Sequence, residues 1–357
     1  MIIKGTFNRL NRFNVQWQIG NFCNYKCSYC EPKFRDGSSK FIPLDLAKQV
    51  INSIVSQKRE KNVIFNFQGG EPTAYRDFLS ILKYVRAVGA SSIMVSNASR
   101  SVAYLTQIAP YLSYSYLTFH SDTAEIDNFL ERLHVFHPRR VLVYLPMNPD
   151  KWDKCVDAHQ KITNANYRVV AKTIFEDYGG AGANTSIYYT PEQQQFIDNG
   201  NKNLVKPARR RTLKQGKMPL LVPQKGKLDF SIDSRMIQII EEGKPDKLTT
   251  SQNLIIAKQN NYRGFTCYGG LEELCITAKG DVTSTVCMQG SILANVYETP
   301  AFRLPTKTII CKRSNCWCES DLLLTKTSNG ANPSTASDKV IRRIYANVPI
   351  AGAKQIY

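Results

Sequence analysis

The sequence lacks long apolar runs and any segment that resembles a targeting signal. No stretch of its 357 residues approaches the ~20 apolar residues that a membrane helix needs. The N-terminus, Met1–Gly5, has neither an apolar core nor a small-residue cleavage site. These absences predict a cytoplasmic protein with no membrane partner. Its ten cysteines are then expected in a reducing compartment, where cysteines bind metals more often than they form disulfides.

Acidic residues and histidines are also scarce. The 29 Asp and Glu residues stand against 47 Lys and Arg residues, a formal charge of +18, and there are only four histidines. The basic excess favours anionic partners such as nucleic acid, acidic peptides, or phosphorylated or nucleotide-linked small molecules. A solvated basic surface explains the charge about as well. Part of the excess is concentrated in residues 206–217.

Short runs rich in Val, Ile, Phe and Tyr alternate with helical periodicity through the first half of the chain. Six strand–helix repeats predict an α/β fold in which helices cover a parallel sheet. Periodicity alone does not say whether such a sheet closes into a barrel. The predicted strands are Asn14–Ile19, Val63–Phe67, Ser92–Ser96, Tyr116–Phe119, Val141–Leu145 and Arg168–Ile174. The clearest predicted helices are Leu44–Ser56, Phe78–Val88 and Ala124–Leu133.

Three cysteines follow the first predicted strand within eight residues: Cys23, Cys27 and Cys30, spaced C-x3-C-x2-C. Soft thiolates suit iron and zinc. A structural zinc site takes four protein ligands, and no histidine lies nearby in the sequence. Three thiolates are suited to a 4Fe–4S cluster that keeps one iron open. A zinc site completed by a distant thiolate is the alternative.

Polar or glycine-rich residues follow the next predicted strands. The carboxyl ends of strands in β/α barrels form the rim at which chemistry takes place. Turns and helix caps are the simpler explanation at each position. The residues are Gly69, Gly70, Glu71 and Pro72 after the second strand, Ser96 and Asn97 after the third, and His120 after the fourth.

The cysteine spacing, the aromatic Tyr29 before the last cysteine and the GGEP sequence at 69–72 resemble the radical S-adenosylmethionine (radical SAM) superfamily. The resemblance implies a partial (β/α)6 TIM-like barrel. It also implies a 4Fe–4S cluster on Cys23, Cys27 and Cys30 whose open iron binds S-adenosylmethionine. Reductive cleavage of that cofactor gives a 5′-deoxyadenosyl radical, with flavodoxin or ferredoxin as the electron donor. No catalytic acid or base is assignable. The implied cofactor contacts are Tyr29, Gly69, Gly70, Glu71, Pro72, Ser96, Asn97 and His120.

A second cysteine region lies near the C-terminus. A predicted hairpin turning at Lys279-Gly280 separates Cys267 from Cys287, and a C-x4-C-x-C run follows at 311–318. This layout resembles the twitch and SPASM extensions of the same superfamily and implies one auxiliary 4Fe–4S cluster, since the spacing departs from the longer SPASM pattern. A zinc site is the main alternative. The implied ligands are Cys267 and Cys287 with two of Cys311, Cys316 and Cys318.

The sequence thus predicts a barrel in 1–175, a peripheral insertion or linker in 176–264, a cysteine-rich, hairpin-containing extension in 265–325 and a tail in 326–357. The resemblance implies net two-electron oxidation of an anionic, sugar-like or nucleotide-linked small molecule. A peptide maturase is a second hypothesis, disfavoured because only about 22 residues precede Cys23. An RNA-modifying enzyme and a non-catalytic iron–sulfur sensor are further alternatives.

Overall fold

The computed structural model describes residues 1–5, 12–175, 187–202, 236–241, 243–245 and 247–328. The basic segment 206–217 and the tail beyond residue 328 lie outside these ranges. Among the helices in the described ranges, none is both long and apolar enough to cross a membrane.

The first half of the chain forms six parallel strands, each followed by a helix. A short strand, β1 (Ile2–Gly5), precedes them and belongs to a different sheet. The repeating units are β2 (Arg12–Gln18) and α1 (Leu44–Gln57), β3 (Asn62–Gln68) and α2 (Phe78–Ala87), β4 (Ser91–Ser96) and α3 (Val102–Ile108), β5 (Tyr114–Thr118) and α4 (Ile126–Leu133), β6 (Val141–Pro146) and α5 (Trp152–Asn164), and β7 (Arg168–Lys172) and α6 (Pro191–Lys202). Each strand pairs in parallel with the next. The predicted partial (β/α)6 TIM-like barrel is confirmed.

The two faces of the barrel strands differ in character. Alternate residues point to opposite faces of a strand. The outer residues of β2 and β3 are large and apolar, and they pack under the helices in one core. The inner residues Asn14, Gln16 and Asn66 line a cavity inside the sheet together with Tyr116. A strand buried only for packing would be apolar on both faces, so the polar interior is available for binding.

The predicted hairpin extends the barrel sheet. The remaining elements are β8 (Met236–Ile240), β9 (Lys247–Thr250), α7 (Ser251–Ile256), β10 (Thr266–Cys267), β11 (Glu273–Ile276), β12 (Asp281–Thr283), β13 (Ala294–Asn295), β14 (Ile309–Ile310), α8 (Glu319–Leu323) and β15 (Lys326–Thr327). β11 and β12 pair as the hairpin, and β11 also pairs in parallel with β2. The nine-stranded sheet therefore runs β13-β12-β11-β2-β3-β4-β5-β6-β7.

A second sheet brings the two ends of the described chain together. Its order is β14-β10-β15-β1-β8-β9, and all its pairs are antiparallel. The N-terminal strand β1 thus lies beside β15, which follows the last cysteines. Helix α6 lies within the stretch for which the sequence suggested a peripheral insertion. It packs on β7 and buries Ile197 in the barrel core, so it completes the sixth unit.

Candidate active site

The loop that carries Cys23, Cys27 and Cys30 leaves the carboxyl end of β2 and is fixed by its backbone. The Cys23 amide donates to the Arg35 carbonyl at 3.2 Å, and the Cys30 amide donates to the Cys27 carbonyl at 3.2 Å. The Arg35 Nε donates to the Cys30 carbonyl at 3.0 Å. The Tyr25 amide donates to the Cys23 sulfur at 3.4 Å. These bonds fold the three thiols into one short loop.

Burial raises the pKa of all three thiols, and it raises that of Cys27 to about 12. Negative charge on Cys30 contributes at Cys23, and charge on both contributes at Cys27. Binding of a positively charged, soft centre offsets this repulsion. In the described ranges, no three His, Cys, Asp or Glu side chains are arranged to hold a single metal ion. Each thiolate of a 4Fe–4S cube binds a different iron, so three thiols on one short loop suit three irons of such a cluster.

The two glycines after β3 hold the base of the cysteine loop. An added Cβ on Gly69 would lie 2.2 Å from the Gly20 carbonyl oxygen, and one on Gly70 would lie 2.1 Å from the Phe22 carbonyl oxygen. The Gly70 amide donates to Gly20 at 3.1 Å, and the Glu71 amide donates to Phe22 at 2.7 Å. The sequence suggested that these glycines approach a ligand. The structure shows that they allow two segments of the chain to approach each other.

Glu71 is buried and organises the neighbouring strand end. Its Oε1 accepts from the Thr73 amide at 2.9 Å, the Thr73 hydroxyl at 2.6 Å and the Ser96 hydroxyl at 2.8 Å. Its Oε2 accepts from the Asn97 amide at 2.7 Å. Burial raises the pKa of Glu71, although these hydrogen bonds oppose the shift. The carboxylate therefore positions Ser96 and Asn97. Pro72, also buried, begins a short turn of 3₁₀ helix.

The Asn97 side chain reaches from β4 to the cysteine loop. Its Nδ2 donates to Asn24 Oδ1 at 3.0 Å and to the Cys23 sulfur at 3.8 Å. The Asn24 Nδ2 in turn donates to the Ser99 hydroxyl at 2.9 Å. Ser99 does not cap the following helix, because Ser101 is the N-cap of α3. Asn97 thus lies beside one of the cluster ligands.

His120, after β5, packs against the aromatic residues of the loop. The Tyr29 hydroxyl lies 2.7 Å from His120 Nδ1, and the two rings stack with centroids 6.0 Å apart. Tyr25 meets the same imidazole edge-on at 5.9 Å. Burial lowers the pKa of His120 to about 4 and raises that of Tyr29. The imidazole is therefore neutral at pH 7, and its hydrogen bond with the Tyr29 hydroxyl holds Tyr29 beside Cys27 and Cys30.

Asp122 is a site residue that the sequence did not single out. Its Oδ2 accepts from the amide and the hydroxyl of Ser28, both at 2.7 Å, and its Oδ1 accepts from Asn148 Nδ2 at 2.8 Å. Desolvation opposes ionisation, but these bonds hold the pKa of Asp122 below its usual value. Asp122 does not cap the next helix, because Glu125 is the N-cap position of α4. Its position directly after a strand end was the available signal.

The ends of three strands, β3, β4 and β5, therefore meet the loop that leaves β2 on one rim. Residues 17–178 match the family model described as the radical SAM superfamily. The matched range contains the cysteine loop, both glycines and the three side chains that brace the loop: Asn97, His120 and Asp122. This chain carries a radical SAM domain.

Curated relatives match parts of this domain. An S-adenosylmethionine-dependent nucleotide dehydratase from Flammeovirga pacifica is 29% identical over 132 residues, which is 36% of this chain and 46% of the relative. A GTP 3′,8-cyclase from Mannheimia succiniciproducens is 30% identical over 86 residues, which is 23% of this chain and 24% of the relative. The chain thus spans less than half of either relative. Among solved structures, Streptococcus suis SuiB bound to precursor peptide SuiA is 14% identical, with a TM-score of 0.48 over 81% of this chain and 63% of that one.

Beyond the radical SAM domain, the later cysteines surround one buried carboxylate. Asp321 accepts from the Cys287 amide at 2.6 Å and from the Val286 amide at 2.9 Å. Burial, and then the charge of Asp321, raise the pKa of the Cys287 thiol and of the Cys318 thiol. Asp321 also acts on the Cys267 and Cys316 thiols, and the Cys267 pKa is raised to about 11, chiefly by burial. These thiols come from separate segments but share one environment. All five predicted ligands are partly or fully buried: Cys267, Cys287, Cys311, Cys316 and Cys318.

A buried lysine lies among these thiols. Lys326 is 1% exposed, and its ammonium donates to the carbonyls of Asp321 and Leu324. It also lies 5.3 Å from the centre of the Tyr262 ring. Burial opposes its charge, but the thiols of Cys316 and Cys267 and the Asp321 carboxylate raise its pKa. A cation therefore already compensates part of the negative charge at this second site.

Proposed function

We propose that the protein is a radical SAM oxidoreductase that oxidises a nucleotide-linked substrate by two electrons. The observation that carries the proposal is the attachment of the cysteine loop to the ends of three strands, β3, β4 and β5. Gly70 and Glu71 bind its base, Asn97 reaches Cys23, and Asp122 holds Ser28. A cofactor on the open iron would then contact the same rim, which is where β/α barrels hold reacting groups.

The chain's own residues have definite parts in this proposal. Cys23, Cys27 and Cys30 would hold the 4Fe–4S cluster, which when bound supplies the electron that cleaves S-adenosylmethionine to a 5′-deoxyadenosyl radical. Asn97 is placed to position the cofactor through a side chain already directed at Cys23. Neutral His120 holds Tyr29 without adding a charge beside the thiolates.

The nucleotide preference rests on three supports. The chain carries a formal charge of +18, which favours a phosphorylated substrate. Two curated relatives are named for nucleotide and GTP chemistry. The barrel interior also presents an ion pair between Lys172 and Glu319, and the Lys172 ammonium lies 4.8 Å from the Tyr144 ring centre.

We also propose one auxiliary 4Fe–4S cluster on Cys267 and Cys287 with Cys316 and Cys318. The charge of Asp321 acts on these four thiols and also on that of Cys275. Cys275 is left out because it lies within the hairpin strand β11, where its thiol bonds with Thr283. Cys311 acts on Cys267 and is the alternative fourth ligand. The two-electron outcome needs an acceptor close to the substrate, and this site adjoins the barrel interior through α8. A flavodoxin or ferredoxin in the cytoplasm would supply electrons to the first cluster.

The test is anaerobic reconstitution with iron and sulfide, followed by dithionite and S-adenosylmethionine. We expect 5′-deoxyadenosine, with about eight iron and eight sulfide ions per chain. Cys267→Ser should lower the iron content by about four while S-adenosylmethionine binding stays intact. A fully loaded protein that never forms 5′-deoxyadenosine would favour an iron–sulfur sensor instead. Zinc retained at the second site would refute only the auxiliary cluster and would leave the proposal for the first cluster unaffected.

A further inference from the structure

Inside the barrel, below the rim, polar side chains form a connected chain. Asn66 Nδ2 donates to Gln16 Oε1 at 2.7 Å, and Gln16 Nε2 donates to Glu273 Oε2 at 2.8 Å. Gln16 and Asn66 lie two residues before the ends of β2 and β3. Glu273 comes from β11, the strand that the C-terminal hairpin adds beside β2. This hydrogen-bonded series of side chains therefore joins the radical SAM domain to the C-terminal extension.

Each end of this hydrogen-bonded series is an acceptor oxygen that receives no hydrogen bond from the described residues. Among the described residues, neither Asn66 Oδ1 nor Glu273 Oε1 has a hydrogen-bond partner, and both oxygens are buried. Glu273 is only 2% exposed. A buried acceptor left without a donor costs about 1–3 kcal/mol. Two such oxygens in one network indicate a site for a ligand that donates a hydrogen bond to each of them.

The two oxygens belong to residues that line the same cavity. It has a volume of about 60 Å³ and is also lined by Ile64, Ile93 and Ser320. Tyr116 lines it too, and the Tyr116 ring stacks on Tyr144 with centroids 5.5 Å apart and planes at 6°. The walls thus combine acceptors on one side with apolar and aromatic surface on the other. Such walls suit a planar ring with N–H groups on its edge.

The charge state of Glu273 depends on what lies in the cavity. Burial raises the pKa of Glu273 well above its usual range, and the negative charge of nearby Asp321 raises it further, so burial alone favours the protonated acid. A ligand that donates a hydrogen bond to Glu273 Oε1 stabilises the ionised form instead. A phosphate oxygen beside it would disfavour that form, so the phosphates of a nucleotide are not expected at this end of the barrel.

The geometry points to a specificity pocket in which Asn66 Oδ1 and Glu273 Oε1 accept hydrogen bonds from the amino-bearing edge of a nucleobase. This inference rests on the proposed function and names the part of the substrate that is read. The cavity of about 60 Å³ takes an amino group and the adjoining ring edge. The sugar, whose C–H bonds are the ones to be attacked, would then lie toward the cysteine loop.

The experiment compares nucleotides that differ by one amino group. Binding to the full-length, reconstituted protein with S-adenosylmethionine is measured for GTP against ITP, for CTP against the 2-pyrimidinone nucleotide, and for ATP against the purine riboside triphosphate. We expect the amino-bearing member of at least one pair to bind about tenfold to a hundredfold more tightly. Equal affinity within all three pairs, or no binding of any of them, would overturn the inference.

Variants show whether this pocket makes the distinction. Glu273→Gln should abolish the preference, because the amide keeps its oxygen for Gln16 and turns an N–H toward the ligand. Asn66→Leu, which removes the other acceptor, is the second variant in case the first does not fold. Glu272→Gln is the matched control, since Glu272 accepts from the Thr325 amide and does not line the cavity. A folded variant of either pocket residue that keeps the full preference would refute the assignment.

The two proposals fail in different ways. The failure of radical SAM chemistry is seen as absent 5′-deoxyadenosine in the fully loaded protein. The failure of the pocket is seen as equal binding within the nucleotide pairs while 5′-deoxyadenosine still forms. Nucleotide discrimination that disappears in Glu273→Gln supports the pocket whatever the rate of cofactor cleavage.

Discussion

The two cysteine regions of this protein are built in opposite ways. Cys23, Cys27 and Cys30 lie on one eight-residue loop, and Cys23 and Cys30 are only partly buried. The later thiols come from β10, from the turn after the hairpin and from the segment before α8, and all of them except that of Cys318 are buried. The first site thus needs only local spacing, whereas the second needs two sheets to be in place.

Their charge environments also differ. At the loop, the groups that donate hydrogen bonds to the Cys23 sulfur are neutral amides, those of Asn97 and Tyr25. The charged side chains of Arg35 and Asp122 bind the loop backbone and are only partly buried. At the second site a buried ammonium, Lys326, and a buried carboxylate, Asp321, lie among the thiols. A loop open on one side suits a centre that exchanges ligands. A closed, charge-compensated site suits a centre that exchanges only electrons.

The largest expected effect separates the two sites by function. Cys27→Ser removes one of three local ligands, so 5′-deoxyadenosine formation should fall to background and iron should fall by about four per chain. Iron analysis and product quantification check both. Cys155→Ala is the control, because the Cys155 thiol is buried against the Pro146 carbonyl and is not one of the three thiols of the loop. Full iron and normal product in Cys27→Ser would contradict the comparison.

A second prediction concerns the support of the loop. Gly70→Ala places a Cβ 2.1 Å from the Phe22 carbonyl oxygen, which must displace the segment before Cys23. We expect cofactor cleavage to fall on the order of a hundredfold, as for other small misplacements of reacting groups. Gly89→Ala is the control, since Gly89 has a φ of +80° but open space around it, and backbone strain of about 1 kcal/mol is its only cost. Equal losses in both variants would show that the contact is unimportant.

The third prediction addresses the buried cation of the second site. Lys326→Met leaves two carbonyls without a donor and Asp321 without compensation. The free energy of unfolding of the metal-free protein should fall by about 3 kcal/mol in urea titrations. Lys312→Met, at an exposed position in the same region, should change it by no more than about 0.5 kcal/mol. If the free energy of unfolding of Lys326→Met were unchanged, the second site would not depend on the Lys326 charge.

The smallest effect is a pH dependence that comes from the first site. The pKa of His120 is lowered to about 4 by burial, from 6.5. Between these values the unfolded chain binds more protons than the folded one, so stability should fall as the pH drops through this window. In His120→Gln, stability in urea titrations should depend less steeply on pH, by the equivalent of up to about one bound proton. The exposed His134 provides the matched control through His134→Gln, and an unchanged slope in His120→Gln would argue against a neutral, buried imidazole.

The sequence predicted the barrel closely because its strands are short, apolar and regularly spaced. Val141–Leu145 differs from the observed β6 by one residue, and Leu44–Ser56 differs from α1 by one. Helix α3 was missed because it has only seven residues, of which Leu105 and Ile108 are buried. The hairpin turning at Gly280 was predicted from its turn residues, but its pairing with β2 was not. Pairing between distant strands leaves no local pattern.

What the sequence determined by itself is the local chemistry: three thiols at C-x3-C-x2-C spacing, glycines after the next strand, and polar residues after the strands that follow. These features act over a few residues, so spacing is enough to reveal them. Only the tertiary structure decided that Glu71 organises Asn97, that Asp122 holds the loop, and that Glu273 meets Gln16 across 257 positions of sequence. A polar residue in a strand looks exposed until the fold closes around it. The interior of the barrel, where the substrate would be chosen, exists only because β11 returns to pair with β2.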